Sequence, residues 1–274
     1  MWPSKMMKGF SMSRVVSLLL VVLCLALSGF ADDIEQTAVQ SIANQPPKLT
    51  LESAAVDVLR ACREMLPMKP MELKGSMILR NRRGIVAREY DYTLVMRRTA
   101  DVTLLTIHLM PRGETNRLAS VTISRRGAQH PTIRMAKAGT PEEAIVESVL
   151  DRVMETDVTW LDLTFDFLWW TDAAYEAERE GESVHGQKCS VILVKPPTAI
   201  PGLAGVHLWV DRKTGCLMQA EQLNEKMKPM RRLWGTRVKK FDGERWTVSV
   251  LEVETLGSRH RTKITVDSLR ELGD

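Results

Sequence analysis

Few residues in this 274-residue chain could do chemistry, and those that could do not fall at catalytic spacings. The five histidines, His108, His130, His185, His207 and His260, lie in separate segments, none within a metal-ligating pattern of Cys or carboxylate. There is no nucleophile elbow, no glycine-rich phosphate loop and no His-Glu-x-x-His. Asp162 and Asp166 form an (i, i+4) acidic pair, but Asp162 follows Thr159 by three residues, where a capping box accounts for it. His207 and His260 fall in strand-like runs and could meet across a sheet, although a lone strand histidine is more often a hydrogen-bonded bystander. The expectation is a protein that is not an enzyme and holds no metal or cofactor.

What the chain does concentrate is aromatic surface. Of seven Trp, three Tyr and five Phe, the segment Trp160–Trp170 (WLDLTFDFLWW) holds Trp160, Phe165, Phe167, Trp169 and Trp170. Such a cluster can plug a core or form a ligand-facing wall, and one short helix can do both. Eleven methionines follow residue 31, including Met65, Met68, Met96 and Met110; unbranched, polarizable side chains suit core gaps and variable apolar cargo alike.

The elements that must position these residues are mostly strands. Residues 71–81, 84–98, 101–110, 117–125 and 131–137 alternate or are rich in β-branched residues, separated by polar breaks such as Asn81-Arg82-Arg83-Gly84. A second series reads as strands near 188–195, 205–211, 216–223, 230–241, 245–256 and 259–267, with Asp242-Gly243 and Gly257-Ser258 as turn signals. Spacings this short require antiparallel neighbours. In 245–256 the apolar parity changes partway, which predicts a bulge or a strand covered on both faces. Helices are expected from the Thr50 cap to Leu66, with Leu51, Ala54, Ala55, Val58, Leu59, Cys62, Met65 and Leu66 as the apolar stripe, and from Thr140-Pro141 to about Glu155. A further capped segment opens at Thr159. The class is α+β, mainly antiparallel β. About eleven strands must curl or close, because strongly twisted open sheets rarely exceed ~10 strands, and the helices would cover the concave side.

The N-terminus reads as a secretory signal. Lys5, Lys8 and Arg14 precede the apolar run Val15–Leu27, and Ser28-Gly29-Phe30-Ala31 supplies small residues before a cut after Ala31. Thirteen residues fall short of the ~20 that span a bilayer. The domain reading is therefore a cleaved signal at 1–31, a polar lead-in at 32–48 and one domain over 49–274. Removing 31 of 274 residues leaves 243. It takes three basic residues and no acidic one, so 38 basic against 34 acidic becomes 35 against 34. That balance offers no bulk attraction for nucleic acid, and pairs such as Arg82-Arg83 and Arg125-Arg126 read as solvated turns. An exported chain could oxidise Cys62, Cys189 and Cys216, leaving one thiol over. In a three-strand meander, however, Cys189 and Cys216 would stand ~9.5 Å apart, beyond the ~7 Å a disulfide allows.

The second half resembles a known family. The stretches "TDVTWLDLTFDFLWW", "GQKCSVILVKPP", "VHLWVDRKTGCLMQAEQLN" and "VKKFDGERW", with the closing "SRHRTKITVDSLREL", are similar in kind and order to bacterial outer-membrane lipoprotein-sorting proteins, the LolA-like periplasmic carriers. The resemblance runs from about Thr156 to the end and departs at Gly215-Cys216-Leu217, where relatives commonly place Gly-Leu-Pro. It implies an incomplete β-barrel with helices over its concave face, enclosing apolar space that shields acyl chains. It also implies a periplasmic location, with an inner-membrane donor and an outer-membrane acceptor complex as partners. The alternative is an envelope sensor or scaffold that uses the fold to bind a protein without transport. The lining expected for a lipid or lipoprotein chain is Phe165, Phe167, Leu168, Trp169, Trp170, Leu208, Val210, Val248, Val250 and Ile264.

Overall fold

The computed structural model describes residues 54–64, 66–127, 129–140, 142–241 and 245–273. The expected signal, lead-in, Thr50 cap and Asp242-Gly243 turn lie outside them. Two antiparallel meanders make up the molecule. The first is β1 (Met71–Arg80), β2 (Val86–Arg98), β3 (Val102–Pro111), β4 (Ala119–Arg126), β5 (Thr132–Lys137) and a two-residue β6 (Ala144–Ile145). The second begins with β7 (Asp172–Tyr175), β8 (Ser183–Val184) and β9 (Gln187–Lys195). It continues through β10 (Gly205–Asp211), β11 (Leu217–Leu223), β12 (Pro229–Phe241), β13 (Arg245–Thr255) and β14 (His260–Glu271).

The strands share one sheet because β1 and β14 pair, giving the order β6-β5-β4-β3-β2-β1-β14-β13-β12-β11-β10-β9-β7, with β8 beside β9. Its edges are β6 and β7, so the sheet is open, and among the described residues it has fourteen strands where about eleven were expected. The three short strands carry too little alternation to announce themselves in sequence. Near its middle the sheet is kinked where the β1–β14 register shifts between Lys74 and Gly75. A Cβ on Gly75 would sit 1.8 Å from the Thr265 carbonyl oxygen and 2.8 Å from Tyr92 Oη, so only glycine allows this approach.

Alternation selects the covered face: Tyr90, Tyr92, Leu94 and Met96 of β2, Leu105, Ile107 and Leu109 of β3, and Val121 and Ile123 of β4 all join the core. Over that face lie helix α1 (Ala55–Glu64) and the segment around helix α2 (Trp160–Thr164). α1 buries Ala55, Val58, Leu59 and Cys62 of the expected stripe, with Ala61 beside them; Leu66 is buried just past its end, Ala54 is exposed, and Leu51 and Met65 lie outside the described residues. Arg98 of β2 donates to the carbonyls of Arg63 (3.0 Å) and Leu66 (2.9 Å) at the helix end.

The helix expected from Thr140 to about Glu155 does not form. Thr140 instead sits in the β5–β6 turn, its hydroxyl on the Lys137 carbonyl at 2.9 Å. Ala144 and Ile145 pair with Met135 and Arg134, and the Val146 amide donates to Ile133. A lone helix of that length is marginal, and the β-branched Ile145, Val146, Val149 and Val153 weaken it further, so the ladder along β5 prevails. No helix among the described residues is long and apolar enough to cross a membrane.

Candidate functional site

The layer between α1, α2 and the sheet is where the aromatic segment lies, and three carboxylates fasten that segment down. Thr159 caps α2 through a reciprocal capping box: its hydroxyl accepts the Asp162 amide, and the Asp162 carboxylate accepts the Thr159 amide at 2.8 Å. The same carboxylate accepts from Gln222 Nε2 at 2.7 Å and Arg231 at 3.2 Å, so α2 is tied to β11 and β12. Asp157, fully buried, accepts the hydroxyl of Thr255 at 2.8 Å and reaches Thr262, joining β13 and β14. Asp166 takes Arg125 of β4 at 2.5 Å, His130 Nδ1 at 2.8 Å and the Trp170 indole at 3.2 Å. Each carboxylate has several donors, which is what makes burial of its charge tolerable.

Arg125 is the residue the sequence reading placed wrongly. Read as part of a solvated turn, it is 5% exposed, and only its neighbour Arg126 faces water. Parity was the available signal: Ala119, Val121, Ile123 and Arg125 share one face of β4, and Arg231 shares a face of β12 with Leu233 in the same way. Burial pulls the Arg125 pKa below its ordinary value, with Asp166 acting in the opposite direction. Its guanidinium also lies 4.2 Å from the Trp169 ring centroid.

Among the described residues, two openings adjoin this layer. A narrow mouth with about 30 Å³ of free space is lined by Leu66, Leu105, Ile123, Arg125, Phe165 and Trp169 among others. A wider groove of about 390 Å³ lies beside α1, with Val58, Val191 and Val210 on its apolar side and Tyr175, Glu180 and Arg212 among its polar ones.

The ten expected lining residues divide accordingly. Phe165, Leu168 and Trp169 border the mouth, and Val210 borders the groove. Phe167, Trp170, Leu208, Val248 and Ile264 are buried in the core cluster and border neither opening. Val250 is buried but lies outside that cluster: it pairs with exposed Arg237 and with Thr265, while Leu251 pairs with Ile264. The predicted parity change in β13 is the reason, because the register with β12 shifts at Arg237 and again at Val238, reversing the faces. The aromatic segment is thus both plug and wall: Trp160, Phe167 and Trp170 fill the core, while Phe165, left-handed at φ 48°, and Trp169 face the mouth.

The histidines do not assemble. β10 and β14, which carry His207 and His260, are separated by three strands. His207 instead accepts from Arg179 at 3.0 Å, Arg179 stacks on Trp209 at 4.6 Å, and the Trp209 indole donates to Glu182 at 2.8 Å. Among the described residues no group of three or more His, Cys, Asp or Glu could hold a metal ion. Cys62, Cys189 and Cys216 are buried, and none of them forms a disulfide among the described residues. Burial pushes the Cys62 thiol up and that of Cys189 up to about 11.

A family model described as "Uncharacterized protein" matches residues 143–271. No curated protein matches the chain. Solved structures do. A DUF1329 family protein from Desulfovibrio piger is 18% identical with a TM-score of 0.68, over 80% of this chain and 94% of its own. A domain described as outer membrane lipoprotein-sorting, from Vibrio parahaemolyticus, is 13% identical with a TM-score of 0.68, over 79% and 92%. A LolA superfamily protein from Nitrosomonas europaea is 15% identical with a TM-score of 0.58, over 81% and 94%. At these identities the likeness establishes the shared fold.

Proposed function

The chain has a LolA-like fold, and on that premise we propose that it carries acyl chains of a lipid or lipoprotein through the periplasm, reached by export through the signal at 1–31. The observation that carries this reading is the groove of about 390 Å³ between α1 and strands β7, β9 and β10, with Val58, Val191 and Val210 as its apolar side. Its size falls at the lower end of the ~300–1,000 Å³ of small-molecule sites. An acyl chain laid there gains ~0.8 kcal/mol per buried methylene, so capacity depends on area and requires few polar contacts. Phe165, Leu168 and Trp169 would extend the lining once the α2 segment moves off the sheet. An inner-membrane donor and an outer-membrane acceptor complete the scheme.

Native mass spectrometry of protein purified from the periplasm tests it. Co-purified lipid is expected, and a bare mass that stays bare on titration with fatty acid rejects the carrier. A second reading, an envelope sensor or scaffold that binds a protein without transport, is favoured by the narrowness of the mouth, which admits no chain as it stands. Under that reading an envelope protein is captured equally well when acyl sites are saturated with detergent.

A further inference from the structure

Three hairpin turns stand side by side at one end of the sheet. Arg80 of β1 pairs with Arg261 of β14, and Arg231 of β12 pairs with Thr255 of β13. The β1–β2 turn (81–85), the β13–β14 turn (256–259) and the β11–β12 turn (224–228) therefore follow one another across six consecutive strands. At ~4.8 Å per strand they form a rim roughly 24 Å across.

Two of these turns share one construction. Asn81 Oδ1 accepts the amides of Arg83 (2.9 Å) and Ile85 (3.1 Å), and Asn224 Oδ1 accepts those of Lys226 and Lys228 (3.0 Å each). In both, the Asn amide donates to the carbonyl of the fifth residue at 2.9 Å. The turns are thus rigid pegs that hold their side chains outward. The fourth position is left-handed in each: Gly84 at φ 78° in one, Met227 at φ 57° in the other. Arg259 of the third turn is left-handed too, at φ 56°. Glycine would relieve both positions, yet long side chains occupy them.

Ile85 is 58% exposed, Met227 45% and Val86 38%, so aliphatic groups stand in water at two of the tips. Around them Arg82, Arg83, Lys226, Lys228 and Arg259 enter no ion pair among the described residues. Glu225, the one carboxylate in the three turns, accepts the Gly202 amide at 3.2 Å. The 243 residues that follow Ala31 are nearly neutral, so this is a local concentration of charge.

We propose that this rim docks on an anionic phospholipid bilayer, with Ile85, Val86 and Met227 entering the headgroup layer and the five cations set against lipid phosphates. A soluble anion would give the aliphatic tips nothing. A bilayer takes up separate protruding tips without a matching shape, and peripheral binding combines apolar insertion with attraction to anionic lipid. The narrow mouth beside Thr103, Arg125 and Pro131 lies at the opposite end of the strands, so docking leaves it facing solvent.

Sedimentation of residues 32–274, which contain the whole described fold, with phosphatidylcholine vesicles with and without phosphatidylglycerol tests this. Binding should appear only with phosphatidylglycerol and weaken with salt. At about fivefold per cation, Arg82→Gln with Arg83→Gln should lower the partition coefficient about 25-fold. Ile85→Gln and Met227→Gln should each lower it as well, while fatty-acid uptake is unaffected by any of them. Lys239→Gln with Lys240→Gln, exposed near the far end of β12, is the control and should leave binding unchanged. Absence of binding to phosphatidylglycerol vesicles, equal loss in rim and control variants, or capture of an acidic protein by the rim without vesicle binding would each overturn the proposal.

Discussion

Replacing Arg125 by Met isolates what holds the aromatic segment at the mouth. Arg125 and Asp166 are 5% and 1% exposed, so the substitution leaves a carboxylate in the core with its main cation gone. Removing one partner of a buried pair costs ~3–5 kcal/mol. Asp166 retains His130 Nδ1 at 2.8 Å and the Trp170 indole at 3.2 Å, and Met fills part of the vacated volume, which places the loss near ~3 kcal/mol. With a urea slope of ~2–3 kcal/mol per molar, the unfolding midpoint should fall by about 1 M. Adding Asp166→Asn removes the stranded charge and should recover at least half of that, a coupling that a double-mutant cycle reads directly. Hydrogen exchange at residues 165–170 should quicken in the single variant, because the turn loses its tie to β4. A midpoint shift below ~0.3 M, or strict additivity of the two substitutions, would refute the clamp.

Three further outcomes follow from the packing. Gly75→Ala should destabilise by ~3 kcal/mol or prevent folding, since its Cβ would meet the Thr265 carbonyl at 1.8 Å, and a thermal melt near wild type would contradict that geometry. Iodoacetamide should leave Cys62, Cys189 and Cys216 unmodified in the native protein at pH 8 and label all three in urea, because burial keeps the reagent from all three and also raises the Cys62 and Cys189 thiols; rapid native labelling would be the contrary result. His207 has its pKa lowered by burial and then by Arg179, against Glu176, Glu221 and Glu182. The native state therefore refuses a proton that the unfolded chain accepts below ~6.5, so the urea midpoint should be flat above that pH and decline from 6.5 towards 5.5. His207→Gln should lessen the decline, and His108, lowered by burial and Arg117, accounts for part of what remains.

The long strands were legible because their period-2 alternation is local: β1 to β5 and β9 to β14 begin and end within a few residues of the sequence reading. The Thr159–Asp162 capping box was legible for the same reason, as donor and acceptor lie one helical turn apart. Residues 142–155 were misread because their caps promise a helix, while the β5 ladder that claims Ala144 and Ile145 is a tertiary contact. The parity break in β13 pointed to a bulge or to a strand covered on both faces; the register shifts show the bulge, but which residues it moved off the core cluster was not legible. Val250 was expected inside, and Leu251 is the one opposite Ile264, since a slip of one residue exchanges every face.

Alternation and capping, then, are written into neighbouring residues, and from them the sequence alone determined a mainly antiparallel chain with an apolar face and an aromatic segment to set against it. Only the tertiary structure decided that β1 joins β14, that Arg125 and Arg231 meet the carboxylates of the 157–166 segment, and how much space remains beneath it. Those outcomes depend on strands and side chains far apart in sequence meeting in space, and no local pattern encodes such distances.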